Sequence, residues 1–145
     1  MQKIIIASDH AGFLLKEYLI KKLKDVFDFE DLGTKDTDSV DYPDYAHKLS
    51  EKVSANIFTQ GVLICGSGIG MSMVANRYKN IRAALCMNEN MAKLSKQHNN
   101  ANVLVLGSRL ISQEEAIKCL MMFFNTNFEG DRHQARLDKF NDVKI

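Results

Sequence analysis

Five short apolar runs, each followed by a longer segment with helical periodicity, restrict this chain to an alternating α/β fold. The runs are 3–7, 27–32, 62–65, 82–86 and 103–106. The runs 3–7, 62–65 and 103–106 are short, nearly continuous and rich in Ile, Val and Leu, as strands buried on both faces are, whereas 27–32 and 82–86 are more mixed. Between them the apolar residues recur at helical spacing. Leu15, Leu19 and Leu23 form one stripe over 11–24, with Lys16, Glu17, Lys21 and Lys24 mostly off it. Helices are predicted over 44–55, 71–78, 88–97, 112–124 and near 133–142. The last long one opens on Ser112-Gln113-Glu114-Glu115, a capping box. The polar stretch 36–45, which holds the lone Pro43, reads as a loop entering a helix. Strand–helix alternation through five units implies a parallel sheet with helices on both faces. No linker divides the 145 residues, so a single domain spanning 1–145 is expected.

Several functional classes lose support at this level. A formal charge of +1 gives no general attraction to nucleic acid or acidic membranes, so any anion site must be built locally. No apolar run approaches the ~20 residues of a membrane span. The initial Ile4-Ile5-Ile6 run is stopped by Ser8, Asp9 and His10, too soon for a signal peptide. Cys65, Cys86 and Cys119 are odd in number and lack metal-type spacing. They point to a reducing compartment, the cytoplasm, rather than to a disulfide framework or a zinc site. No metal and no cofactor is expected.

In parallel α/β sheets ligands bind beyond the carboxyl ends of the strands. Four polar segments fall there: Ser8-Asp9-His10, Cys65-Gly66-Ser67, Asn88-Glu89 and Gly107-Ser108-Arg109. The strongest is Cys65-Gly66-Ser67-Gly68-Ile69-Gly70-Met71-Ser72, between a strand and a helix. Its glycines permit a tight turn that gathers backbone amides around an anion or oxyanion, and the same field favours a thiolate at Cys65. A plain glycine turn beside a buried cysteine is the alternative. A dinucleotide fingerprint fails because Met71 stands where the third glycine belongs and the loop follows the third strand, not the first. A cysteine phosphatase loop fails because no cation precedes Arg77.

Asp9-His10 can contact a sugar hydroxyl or a phosphate, or it can simply cap the helix that starts at Ala11-Gly12. His98 can be catalytic or a surface residue. Arg132 and Arg136 are spaced i,i+4, so a helix places both on one face, where paired guanidinium groups suit a phosphate. They can equally form a solvated face paired with Asp131 and Asp138. Thiol, amide-rich loop, histidine and arginine pair together suit proton transfer on a phosphorylated substrate.

Five segments in this order resemble the ribose-5-phosphate isomerase B family. They are Ser8-Asp9-His10-Ala11-Gly12, Asp41-Tyr42-Pro43-Asp44-Tyr45-Ala46, Cys65 through Ser72, Gln97-His98-Asn99, and Gly130-Asp131-Arg132-His133-Gln134-Ala135-Arg136. The likeness runs from Lys3 to about Asp138. It implies a Rossmann-like three-layer α/β/α sandwich with a five-stranded parallel sheet. It also implies interconversion of ribose 5-phosphate and ribulose 5-phosphate through an enediolate, without metal or cofactor. By the same resemblance Cys65 is the general base and Ser67 assists it. Amides from Gly66 through Gly68, Ile69, Gly70 and Met71 to Ser72 hold the enediolate oxygen. His98 opens the sugar ring, Asp9 positions ring hydroxyls and Tyr42 lines the pocket. His10, Arg132 and Arg136 hold the phosphate, with Arg109 and His133 as further candidates. The resemblance implies a homodimer or tetramer whose site is shared across the interface, so that His98 and Asn99 serve the neighbour's pocket. Some family members carry a glutamate base in the glycine loop; Met71 occupies that place here, which leaves the work to Cys65. Related galactose-6-phosphate isomerases split these residues between two different chains, whereas one chain holds them all here. An isomerase of galactose or allose 6-phosphate, or a non-catalytic module binding a sugar phosphate or nucleotide, is the alternative.

Overall fold

The computed structural model describes residues 1–144. In chain order the elements are β1 (Gln2–Ser8), α1 (Phe13–Leu23), β2 (Phe27–Asp31), α2 (Tyr42–Ser54), β3 (Gly61–Cys65) and α3 (Ile69–Ala75). There follow β4 (Ala83–Leu85), α4 (Glu89–Asn99), β5 (Val103–Gly107), α5 (Gln113–Asn125) and α6 (Arg132–Leu137). The sheet has five strands in the order β2-β1-β3-β5-β4, and every adjacent pair is parallel. No helix is long and apolar enough to cross a membrane among the described residues.

Alternation along the strands divides the core in two. Ile4, Ile6, Val62, Ile64, Leu104 and Leu106 face one side, where they pack against Leu15 and Leu19 of α1, Ala92 of α4, and Leu120 and Phe123 of α5. Ile5, Leu63, Cys65, Val103 and Val105 face the other, against Leu49 and Val53 of α2 and Met71 and Ala75 of α3. Period-two alternation thus produces the three layers expected from the sequence. Each fully buried aliphatic side chain contributes about 1.5–3 kcal/mol to holding them together.

The elements depart from the sequence reading where tertiary structure outweighs local pattern. α2 begins at Tyr42, before the expected 44, because Pro43 fits a first helical turn. α3 is shifted to Ile69–Ala75, and the tail helix is shorter, Arg132–Leu137. α4 runs on to Asn99, so His98 and Asn99 lie in its last turn and Asn100 closes it in the left-handed conformation. Ser112 caps α5 by accepting the Glu115 amide N–H at 3.1 Å. Lys16 is the clearest reversal. It is fully buried, with its ammonium 2.7 Å from Asp31 Oδ2 at the end of β2.

The chain runs from β1 outward to β2, then returns to place β3 on the other side of β1. The two connections therefore diverge at the carboxyl ends of β1 and β3. The crevice left there is where a parallel sheet accepts a ligand.

Candidate active site

Asp9 and His10 follow β1, and Cys65 ends β3. Both segments line one cavity of about 620 Å³, together with Tyr42, Gly66, Ser67, Ile69, Gly70 and Arg109. Ala11, Met73 and Leu110 complete the wall. Several of these side chains have defined hydrogen-bonding roles. The Gly68 amide donates to Cys65 Sγ at 3.1 Å, so an N–H dipole is aimed at the sulfur. Ser67 Oγ accepts the Ile69 amide N–H at 3.2 Å, which leaves its own proton free to donate. His10 Nδ1 accepts the Val40 N–H at 3.2 Å, so the neutral ring carries its proton on Nε2. Asp9 Oδ1 accepts the Gly12 N–H at 3.0 Å. Asp9 thus closes the turn ahead of α1, whose N-cap is Gly12 and takes no side-chain cap, rather than capping the helix itself, and it also lies in the cavity wall.

Two glycines make the loop possible. Gly68 has φ +79°, a left-handed conformation that side chains resist, and a Cβ there would press on the Leu106 carbonyl. A Cβ on Gly66 would lie 2.8 Å from the Arg109 guanidinium. The missing side chain lets that cation lie flat against the loop, and Arg109 has no carboxylate within 4.0 Å among the described residues.

The loop amides are less uniformly available than the sequence suggests. Those of Gly68 and Ile69 are spent on Cys65 and Ser67, and that of Ser72 on the Gly68 carbonyl at 3.0 Å. Gly70 and Met71 are early residues of α3, where amides lack a carbonyl within the helix. Of the substrate contacts expected in this loop, Gly68, Met71 and Ser72 do not line the cavity. Gly68 is buried against β5, the Met71 side chain belongs to the core, and Ser72 Oγ donates to the Ile69 carbonyl at 2.7 Å.

The remaining predicted residues lie elsewhere in the chain. Cys65 is level with Gly107 at the carboxyl end of β5, whereas His98 ends the helix that returns to that strand's amino end. At about 3.3 Å per residue the strand alone separates the two ends by roughly 15 Å. His98 is stacked on His133 of α6, ring centroids 4.5 Å apart, and Glu129 Oε1 stands 3.6 Å from His98 Nε2 and 4.0 Å from His133 Nε2. Burial and the charge of Arg132 hold His133 below its ordinary value, with His98 and Arg136 adding to the shift and Glu129 opposing it. Arg132 and Arg136 are exposed on the same short helix with no carboxylate within 4.0 Å among the described residues. The pairing with Asp131 and Asp138 does not form. Asn99 lines a separate cavity of about 460 Å³ with Tyr78, Arg82 and Phe140. One chain therefore carries two separate clusters: a thiol with its loop at one end of the sheet, and histidines with arginines at the other.

Glu129 is the residue missed by sequence reasoning, and its four-residue spacing to His133 was the available signal. Folding also gathers His98, Glu129 and His133, with ligand atoms within 4.8 Å of one another, a grouping that their spacing along the chain does not show.

Known proteins resemble this chain in both sequence and fold. A family model described as Ribose/Galactose Isomerase matches residues 4–140. A probable ribose-5-phosphate isomerase B of Mycoplasma genitalium is 47% identical, covering 94% of this chain and 91% of its own. A crystal structure of a ribose 5-phosphate isomerase from Thermotoga maritima superposes with a TM-score of 0.95 at 49% identity, covering 98% of this chain and 99% of the other. A Mycoplasma genitalium ribose-5-phosphate isomerase B with bound ribulose-5-phosphate gives a TM-score of 0.89 at 46% identity, over 94% of this chain and 92% of that one.

Proposed function

The chain belongs to the ribose/galactose isomerase family, and on that premise we propose that it interconverts ribose 5-phosphate and ribulose 5-phosphate through an enediolate, with Cys65 as the base. The observation that carries this reading is the position of Cys65 Sγ. It lies at the crevice between β1 and β3, beside Ser67 and within one cavity with His10 and Arg109. The Cys65 thiolate takes the proton from C2 of the open-chain aldose. The carbonyl oxygen at C1 becomes the enediolate oxygen, which the free amide of Gly70, a residue of the cavity wall, can stabilise. The thiol then returns a proton to C1 while the hydroxyl proton of O2 passes to O1, and Ser67 is placed to relay it. Oriented donors matter because a carbon acid ionises only as its oxyanion is stabilised. Losing one such donor typically costs about 100- to 1000-fold in rate.

Ribose 5-phosphate is mostly a closed ring, so an acid–base group must first move a proton between ring oxygen and anomeric hydroxyl. We assign this to His98, whose class of side chain both accepts and donates near neutral pH. His98 of the same chain lies at the far end of the sheet, so it reaches the Cys65 cavity only from a second copy. Arg132 and Arg136, unpaired beside His98, would arrive with it and meet the phosphate. Exposed apolar residues at the cavity mouth, Ile69, Met73 and Leu110, support burial there by a homodimer. Free thiols at Cys65, Cys86 and Cys119 fit the cytoplasm.

The test is the reaction itself. Purified protein should convert ribose 5-phosphate to ketose, and Cys65→Ala should lose at least ~100-fold in turnover with its fold intact. A variant retaining a tenth of wild-type turnover would exclude Cys65 as the base.

A further inference from the structure

We propose that His98, Glu129 and His133 form a binding site for a divalent transition metal of the zinc type, and that the metal and the sugar compete for His98. The metal site stands on geometry alone; the competition rests on the function proposed above.

The three residues come from separate segments that the fold draws together. His98 lies in the last turn of α4 and His133 in α6. Between them the Glu129 amide donates to the Gln97 carbonyl at 3.1 Å, tying the connecting segment to the end of α4. One nitrogen from each histidine and one oxygen from Glu129 then lie within 4.8 Å of one another. Ligand atoms about 2.0–2.1 Å from a tetrahedral zinc are themselves about 3.3 Å apart. The separations of 3.6 Å and 4.0 Å between the Glu129 oxygen and the two imidazoles need to shorten by less than 1 Å.

A second observation points to a ligand. His133 is 5% exposed, and its Nε2 is buried with no hydrogen-bond partner among the described residues. A buried polar atom without a partner is costly, and this one faces Glu129. A metal ion would satisfy it. The stacked rings cannot both point at one ion while they stay nearly parallel. His98, with 40% of its side chain exposed, has room to tilt out of the stack, whereas buried His133 does not.

Donor chemistry sets the class of ion. Two imidazoles and one carboxylate suit zinc, cobalt, nickel or copper, not magnesium or calcium, which take oxygen ligands. Three protein ligands leave a fourth position open. An ion held there would occupy the His98 nitrogen needed to move a proton on the sugar ring. The site is therefore inhibitory, and chelation should leave isomerisation unchanged or raise it.

The test uses full-length Cys65→Ala protein, stripped with chelator, so that no active-site thiolate takes the metal. Zinc is titrated calorimetrically and cobalt by its visible absorbance. One ion per chain is expected. Even an outer-shell partner is worth about 10- to 100-fold in metal affinity, so Glu129→Gln and His133→Gln should each weaken binding by at least about tenfold. No zinc binding, or binding unchanged in Glu129→Gln, would overturn the site; Glu129 is exposed, so that variant tests it without threatening the core. In a Cys65-containing background, zinc should inhibit ribose 5-phosphate isomerisation, with at least about tenfold more zinc needed in Glu129→Gln. Stoichiometric zinc binding without inhibition would overturn the competition with His98. Absence of isomerase activity in stripped wild-type protein would instead contradict the proposed function, while the binding titration still decides the metal site.

Discussion

Three thiols in one small domain provide a chemical test of which one is placed for catalysis. Burial pushes the Cys86 thiol up to about 11, with a hydrogen bond from Ser95 only partly opposing it. Burial also pushes Cys119 up to about 12, with Cys86, Glu115 and Glu89 adding negative charge nearby. Both titrate well above neutrality, so at pH 8 each is a thiolate in about one molecule per thousand or fewer, and only a thiolate attacks an alkylating agent. Cys65 opens on the cavity, with the Gly68 amide directed at its sulfur. Brief treatment with iodoacetamide at pH 8 should add one label per chain, at Cys65 by peptide mass spectrometry, and a sugar phosphate should slow it. Labelling of Cys86 or Cys119 at a comparable rate would mean that the core opens freely. The sequence already marked Cys65 as distinct because a glycine loop follows it; the other two are inert through packing that only the fold creates.

At the scale of elements, the centre of the sheet was legible because strands buried on both faces must be apolar, as β3, β5 and most of β1 are, while the edge strand β2 carries Asp28, Glu30 and Asp31. Helix ends were less so, since α2 starts at Tyr42 through the geometry of Pro43, and α4 carries His98 inside its last turn. Lys16 escaped altogether. A window along α1 reads lysine as a solvent-facing residue, whereas its partner Asp31 belongs to the next strand and no local pattern reveals it. Lys16 Nζ donates to both Asp31 oxygens, at 2.8 Å and 2.7 Å, and approaches Glu17 at 3.4 Å. Removing one partner of a buried pair costs about 3–5 kcal/mol because the other charge is stranded. The Asp31 side chain is 37% exposed, so water will recover part of that loss. Asp31→Ala should therefore lower unfolding stability by about 3 kcal/mol, the low end of that range, in urea titration. Lys16→Met, which removes the charge and keeps the apolar stem, should cost much less. A loss below about 1 kcal/mol in Asp31→Ala would show that the ammonium escapes to water instead.

For the whole molecule, the decisive fact is that the residues of the proposed site lie at the two ends of one sheet. Sequence order could not show this, because residues that follow strands and residues that end helices look alike in one dimension. The cavity holding Cys65 contains Asp9, His10, Tyr42, Ser67 and Arg109, but His98, Arg132 and Arg136 lie across the sheet. A second copy supplying the second half would make each pocket a product of two chains. Mixed subunits test this most directly. His98→Asn and Cys65→Ala proteins, each inactive on ribose 5-phosphate, are mixed under conditions where subunit exchange is verified by mass. Each heterodimer then holds one pocket with both wild-type residues and one with neither. The expected result is recovery of turnover, up to half the wild-type pockets per heterodimer. No recovery after verified exchange would place Cys65 and His98 in a pocket built by one chain and contradict the shared site.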